Sequence, residues 1–435
     1  MLSLINFFSN STAPVSSNVL RPITYINHLH FKLICTCTAK RRSNKHDTNC
    51  GRKLFNNTHQ PLIISGIKTF TSIHEQLKNG GRLMQVHTVN LIFPLGHEDV
   101  YNMESTHSIK FSQVNDYFSS IYPYARFSIY RTPIGRPYLS LIIDCMKLLN
   151  KSDMVDEDYL KLERNIKQIL MDIFGHINHF DFHTLKEIDY KIDTIVENEK
   201  HREQLFKLYN KLTKSFRFQK FKNGHTTDNK EFNIYMTTIY HLSDAIIVRC
   251  YDKEQERIDK GEPVLPHEMG VMIFEIAVKQ KHIYYRSDKK HCPDPIDRKL
   301  KEWFKEEIWE QYFSYYLSPI YKSGDFYKLS KARSIINSST LNPSMKTKLI
   351  EFLKTISRGD LDTPLKKGMN RKTYNSRIKR LEKLGINPIL IPENTKDVPN
   401  ILTNPLKDFF PLIKQNPNRA IPNDEEYIEE LDLPF

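Results

Sequence analysis

The sequence predicts an α+β fold: a mainly antiparallel sheet with helices packed on one face, followed by a helical C-terminal domain. Three observations carry this. Two β-branched and aromatic runs, 246–256 and 271–279, are bounded by turn-formers (Asp244, Gly261, Pro263, Pro266) and read as paired strands. Upstream, the order hairpin, helix, strand, helix, strand fits helices laid on one side of an antiparallel sheet, leaving the other side for a ligand. From about Asp297 onward the strand patterns give way to helical ones.

A chain of 435 residues has room for two or three domains, each with its own core. Charged residues make up 26% and hydrophobic ones 39%, which fits a globular protein and excludes a disordered one. The formal net charge of +13 favours a polyanionic partner, nucleic acid or an anionic membrane surface. The six cysteines (Cys35, Cys37, Cys50, Cys145, Cys250, Cys292) include no CxxC pair and read as cytosolic thiols. No apolar run is long enough to span a bilayer, and the N-terminus lacks signal-peptide order. No GxxxxGK[ST] loop is present, which argues against a built-in ATP-driven helicase.

Residues 1–83 show no sustained period and read as a disordered or mis-annotated leader. Gly80-Gly81, just ahead of Met84, can be spelled by the purine-rich ribosome-binding sequence of a bacterial gene, so translation is expected to begin at Met84. His28-Leu29-His30 lies in this leader and is discounted. Val86–Phe93 is the first strand, and Ala125–Tyr130 with Tyr138–Ile143 flank Pro133, Gly135 and Pro137 as a β-hairpin. A helix from about Val155 to Phe174 follows, capped by Ser152 or Asp153, with Ile166, Ile169, Leu170 and Ile173 as its stripe and Gly175 as its end. His176, His179 and His183 surround Asp181 before the next strand, a spacing that invites a metal reading, though ordinary polar loop residues are the expectation.

In the strand Leu185–Asp193, Ile188, Tyr190 and Ile192 point one way and Asp189, Lys191 and Asp193 the other. A helix over about Glu199–Phe216 and a strand at Asn233–Thr238 lead into the central pair. On that pair, Arg249, Tyr251 and Lys253 share one face of the first strand, and Glu275 shares a face with Lys279 on the second. If the strands pair, a tyrosine, cations and a carboxylate converge on one side of the sheet. Such a set suits a tyrosine nucleophile, a metal-binding carboxylate and phosphate-neutralising charge.

The domains expected are a nicking-type domain over 84–290, a helical domain over 291–395 and a Pro/Asn-rich acidic tail over 396–435. Within the second, helices are read at 297–317, Leu329–Asn337, Met345–Ile356 and Thr373–Leu384, the last stopped by Gly385. In it Ile378, Leu381 and Leu384 face a core while Arg377, Lys379, Arg380 and Lys383 face solvent. The pattern is either a helix-turn-helix reader of DNA or an ordinary solvated charged face.

Glu187-Ile188-Asp189-Tyr190, Val248-Arg249-Cys250-Tyr251-Asp252-Lys253 with its acidic tail, and Phe274-Glu275-Ile276-Ala277-Val278-Lys279 carry a resemblance, in this order, to a known family. Over roughly 84–395 the chain resembles the phage and plasmid replication initiators of the filamentous-phage gene II/X type, related to the rolling-circle Rep endonucleases. Glu187 stands where the family has Arg, Ile273 where Arg precedes Phe-Glu, and His87 where Asp is common.

The resemblance implies that Tyr251 attacks an origin phosphodiester, leaving a 5′-phosphotyrosyl link and a 3′-hydroxyl primer, with Lys253 on the phosphate or phenolate. It implies Mg²⁺ or Mn²⁺ on Asp189 and Glu275, with Asp193 or His87 added. Arg249, Lys279 and the basic helix would contact DNA, a host helicase and polymerase would complete replication, and the setting would be a bacterial cytoplasm. A different class of function is a non-catalytic DNA-binding regulator or a degenerate Rep, in which the Tyr251 strand is only core. Whether a second tyrosine such as Tyr240 takes part is left open by the sequence.

Overall fold

A computed structural model of the chain describes residues 84–151, 153–214, 220–223, 237–395 and 398–411. The leader 1–83, Ser152 and the acidic segment 424–432 lie outside the described residues. Eight strands form one sheet: β1 (Val86–Pro94), β2 (Ala125–Arg131), β3 (Pro137–Asp144), β4 (Thr184–Ile195), β5 (Lys220–Asn223), β6 (Thr238–Leu242), β7 (Ile246–Asp252) and β8 (Val271–Lys279). Their order is β2-β3-β1-β4-β8-β7-β6-β5, and each neighbouring pair is antiparallel. The predicted α+β class is therefore the observed one.

Helices α1 (His97–His107) and α2 (Val114–Ile121) sit between β1 and β2. They were not anticipated, because their apolar stripes are thin: Val100 and Met103 in the first, Val114 and Phe118 in the second. Helices α3 (Cys145–Leu149) and α4 (Asp158–Phe174) follow the hairpin. The latter starts at Asp158, and no side chain caps it; instead Asp158 Oδ2 accepts the Val155 N–H at 2.9 Å. Helix α5 (Glu199–Tyr209) is shorter than its sequence pattern, because the chain is turned away by Asp362, which takes the Thr213 hydroxyl at 2.6 Å and the Lys214 N–H at 2.7 Å.

The alternate residues Val89, Leu91, Ile188, Tyr190, Ile192, Val248, Cys250, Phe274, Ile276 and Val278 make one face of the sheet entirely apolar and buried. Beyond β7 and β8 come α6 (Lys253–Asp259) and α7 (Gln280–Ser287), then α8 (Leu300–Trp303), α9 (Glu306–Tyr312), α10 (Leu329–Ser338), α11 (Pro343–Ser357), α12 (Thr363–Lys366) and α13 (Arg371–Lys383). The apolar face is covered by α5, through Tyr209 edge-on to Phe274, and by α8 and α9. Tyr190 Oη donates to the Trp303 carbonyl at 2.7 Å, and Trp309 Nε1 donates to the Lys191 carbonyl at 3.4 Å. Both indoles are buried, each removing about 150–250 Å² from water and contributing up to roughly 4–6 kcal/mol. One buried apolar core runs from Met84 through Trp303 and Leu353 to Phe410, without a break near residue 290.

Residues 398–411, which the composition assigns to the tail, are packed against the core. Leu402, Leu406, Phe409 and Phe410 are buried, and Phe409 stands edge-on to Trp309 at 5.8 Å. Two short strands, β9 (Phe326–Tyr327) and β10 (Ile401–Leu402), tie this segment down.

Candidate active site

The opposite face of the sheet is built from the polar residues of the same alternation. Register places Arg249 of β7 beside Glu275 of β8, and Lys191 of β4 on the other side of Glu275. Two steps along the same face, Glu187 lies opposite Lys279, and these two form an ion pair. The ladder slips between Val86 and Thr88 of β1, a bulge at His87. Strict alternation would put His87 with buried Val89; the bulge re-aims it to the polar face, with Nδ1 3.5 Å from Glu275 Oε2.

Glu275 is the hub and is fully buried. Its Oε1 takes the Arg249 guanidinium, and its Oε2 accepts the Tyr251 hydroxyl at 3.4 Å. The same guanidinium lies 3.5 Å from Asp189 Oδ2. Burial on its own would raise Glu275, but the charge and hydrogen bond of Arg249, helped by His87, outweigh it and hold the carboxyl well below the usual range. Asp189 goes the other way: burial, then the neighbouring Glu275 charge, push it well above its ordinary value despite Arg249. Burial and Glu275 likewise raise the Tyr251 phenol. The centre therefore holds an Arg249–Glu275 guanidinium–carboxylate pair beside a phenol that is harder to ionise than a free tyrosine.

The expected residues are gathered unevenly. Tyr251, Arg249, Glu275, Asp189 and His87 do converge. Asp193 shares their face but is committed to Lys191, 2.8 Å away, in a pair whose side chains are both 6% exposed. Lys253 is not on the strand: β7 ends at Asp252, and Lys253 opens α6 with its Nζ on Glu256 at 2.6 Å. The physical reason is the Asp252 side chain, which accepts the Gln255 N–H at 3.2 Å and caps a helix whose first turn carries Glu254 and Glu256. Lys279 faces Glu187 and so is not a free cation. Tyr240, opposite Arg249 on β6, is half-buried at the edge of the group.

Two buried atoms bear on a metal. Asp189 Oδ1 has no hydrogen-bond partner, and His87 Nδ1 has only the Glu275 carboxylate near it, 3.5 Å away; β4, which carries Asp189, lies between the strands of His87 and Glu275. Asp189, Glu275 and His87 thus fit a hard divalent cation, provided that Arg249, whose side chain is 31% exposed, swings out from between the carboxylates. Asp193 Oδ1 is also unpartnered, but its other oxygen is held by Lys191.

A second grouping, whose histidines were expected to be ordinary loop residues, gains its carboxylate from a remote part of the chain. Asp99 of α1 meets His176 and His179, with ligand atoms all within 4.8 Å of one another. The His-x-x-His spacing was its one visible signal, since Asp99 is remote in the chain. His183 behaves as expected of a structural residue: Nδ1 donates to the Phe180 carbonyl and Nε2 accepts the Leu300 N–H at 3.0 Å.

On the basic helix, Ile378, Leu381 and Tyr374 are buried, and Tyr374 meets Phe352 of α11 edge-on at 5.6 Å. Residues at four-residue spacing, Arg371, Asn375, Lys379 and Lys383, line a surface groove with Lys372, Ser376 and Arg380. Arg377 instead lies over the Phe352 ring, 5.6 Å from its centroid.

No protein-family model and no curated protein matches the chain. A solved structure described as the rolling circle replication initiator protein from Geobacillus stearothermophilus is similar to it. The similarity covers 45% of this chain and 74% of that one, at 8% identity and a TM-score of 0.23. At that level it assigns no role to individual residues. Among the described residues no helix is long and apolar enough to cross a membrane.

Proposed function

We propose that the polar face of the sheet is a DNA phosphodiester-transfer site and that the chain nicks one strand at a replication origin. The observation that carries this is the Tyr251 hydroxyl donating to the Glu275 carboxylate, with the Arg249 guanidinium paired to the same carboxylate. As the tyrosyl oxygen bonds to phosphorus the P–O3′ bond breaks, and the phenol proton passes through water to the departing 3′ oxygen, with Glu275 orienting the phenol by accepting its hydrogen bond. The product is a 5′-phosphotyrosyl link with a free 3′-hydroxyl, ready to prime rolling-circle synthesis of a phage or plasmid. Arg249 neutralises the charge that builds on the phosphate. Mg²⁺ or Mn²⁺ held by Asp189, Glu275 and His87 would supply further charge neutralisation and electrophilic activation. DNA would run along the basic groove of α13, and strand separation would fall to a host helicase and extension to a host polymerase in a bacterial cytoplasm.

A second reading is favoured by one observation: Arg249 fills the gap between Asp189 and Glu275, and the Tyr251 phenol is raised rather than activated. In it the chain is a non-catalytic DNA-binding regulator or a degenerate initiator. The deciding assay incubates the full chain with supercoiled DNA of its own replicon and Mg²⁺ or Mn²⁺, beside Tyr251→Phe. Metal-dependent open circles with protein on the 5′ end, absent in the variant, support the nuclease. Binding without nicking by the wild type supports the regulator, and nicking by the variant moves the nucleophile elsewhere.

A further inference from the structure

We propose that Asp99, His176 and His179 form a transition-metal site of the Zn²⁺ class that clamps α1 to the 3₁₀ turn (Asn178–Phe182) leading into β4. Asp99 Oδ1 lies 3.3 Å from His176 Nε2, and Asp99 Oδ2 lies 3.3 Å from His179 Nε2. Ligands bound at about 2.0–2.1 Å in a tetrahedral shell stand roughly 3.3–3.4 Å apart; each histidine nitrogen is at that distance from one Asp99 oxygen, and one ligand atom from each residue lies within 4.8 Å of the others, so a small closing movement completes the shell. Two imidazole nitrogens and one carboxylate oxygen suit Zn²⁺ and its borderline neighbours better than Mg²⁺ or Ca²⁺.

A second observation points to a ligand. His179 is 9% exposed, and its Nε2, aimed into the cluster, is buried without a hydrogen-bond partner. That nitrogen's nearest polar neighbour is Asp99 Oδ2 at 3.3 Å, longer than a well-formed charge-assisted contact, and the neutral imidazole can offer Nε2 as a lone pair to a cation shared with that carboxylate.

The surroundings fix the ligands. Asp99 Oδ2 also accepts the Gly96 N–H at 2.5 Å. Phe174 lies parallel to His176 at 6.4 Å and edge-on to His179 at 5.1 Å. The His176 side chain is 37% exposed, so the fourth coordination position faces water. Along β1, His87 and Pro94 are seven residues apart, about 23 Å, so this centre is separate from Glu275. Its effect would be mechanical: it fixes the end of β1 and the entry to β4, the strands that carry His87 and Asp189.

Co²⁺ is the probe. The chelator-stripped full chain is titrated with Co²⁺, then with Zn²⁺ as competitor, beside His176→Asn, Asp99→Asn and Asp189→Asn. The expected result is one equivalent of Co²⁺ with visible d–d absorption of a low-coordinate nitrogen site, displaced by Zn²⁺. That absorption, and a Zn²⁺-induced rise in Tm, should persist in Asp189→Asn and vanish in His176→Asn and Asp99→Asn. His176 is half-exposed and Asp99→Asn keeps side-chain shape, so the variants are expected to keep the wild-type far-UV circular dichroism. Absence of Co²⁺ absorption and of any Zn²⁺ effect on Tm in the wild type overturns the proposal. So does a signal that is lost in Asp189→Asn and kept in His176→Asn.

Discussion

Glu275→Gln removes one charge from the centre of the sheet and keeps the volume. Arg249 would lose its main partner and retain Asp189 at 3.5 Å. Breaking a buried pair in this way costs about 3–5 kcal/mol. Arg249 is partly exposed and Asp189, freed from the Glu275 charge, can ionise in its place, so about 2–3 kcal/mol is expected. The cost should depend on pH. Glu275 is depressed in the folded state, so its contribution is present above its ordinary value of 4.5 and is lost as pH falls. Asp189, raised, contributes most below 3.8 and loses that contribution as pH rises, in the wild type. The gap between wild type and variant should therefore be widest at neutral pH and shrink toward about pH 3. Urea unfolding followed by fluorescence reads this directly, since the two tryptophans of the chain, Trp303 and Trp309, are both buried against the sheet. An equal gap at both pH values, or a variant as stable as wild type at neutral pH, would refute the hub role of Glu275.

Asp252→Ala removes both the cap of α6 and the carboxylate that takes Arg202 Nε at 2.7 Å, leaving a buried guanidinium with Glu254; a loss of about 3–5 kcal/mol is expected in urea melts. Gly324→Ala puts a Cβ 2.6 Å from the Ile386 carbonyl carbon at a φ of +90°, so Tm should fall by more than an ordinary surface alanine, with a cost of at least about 1–3 kcal/mol. Lys379→Ala with Lys383→Ala should weaken DNA binding without altering circular dichroism, lowering the slope of log K against log salt by about 0.9 for each phosphate left un-neutralised. An unchanged slope would place the DNA on another surface.

The fold class and the membership of the polar face were legible because they depend on period. Alternation in 185–193 and 271–279 separates Asp189 and Glu275 from Ile188 and Phe274 whatever the partners are. The ends of elements were less legible, because caps decide them: Asp252 turns Lys253 from a strand into a helix, and Asp362 stops the segment after α5.

What the sequence by itself determined is which side chains lie on which side of each strand, and the basic stripe of α13. Only the tertiary structure decided register, and register set the chemistry. It put Arg249 opposite Glu275, gave Lys279 to Glu187, and through a one-residue bulge brought His87 to the polar face. It also brought Asp99 to His176 and His179, 77 residues apart in the case of Asp99 and His176. Periodicity is local and survives in a single strand, whereas pairings across such separations follow from the packing of the whole sheet against its helices.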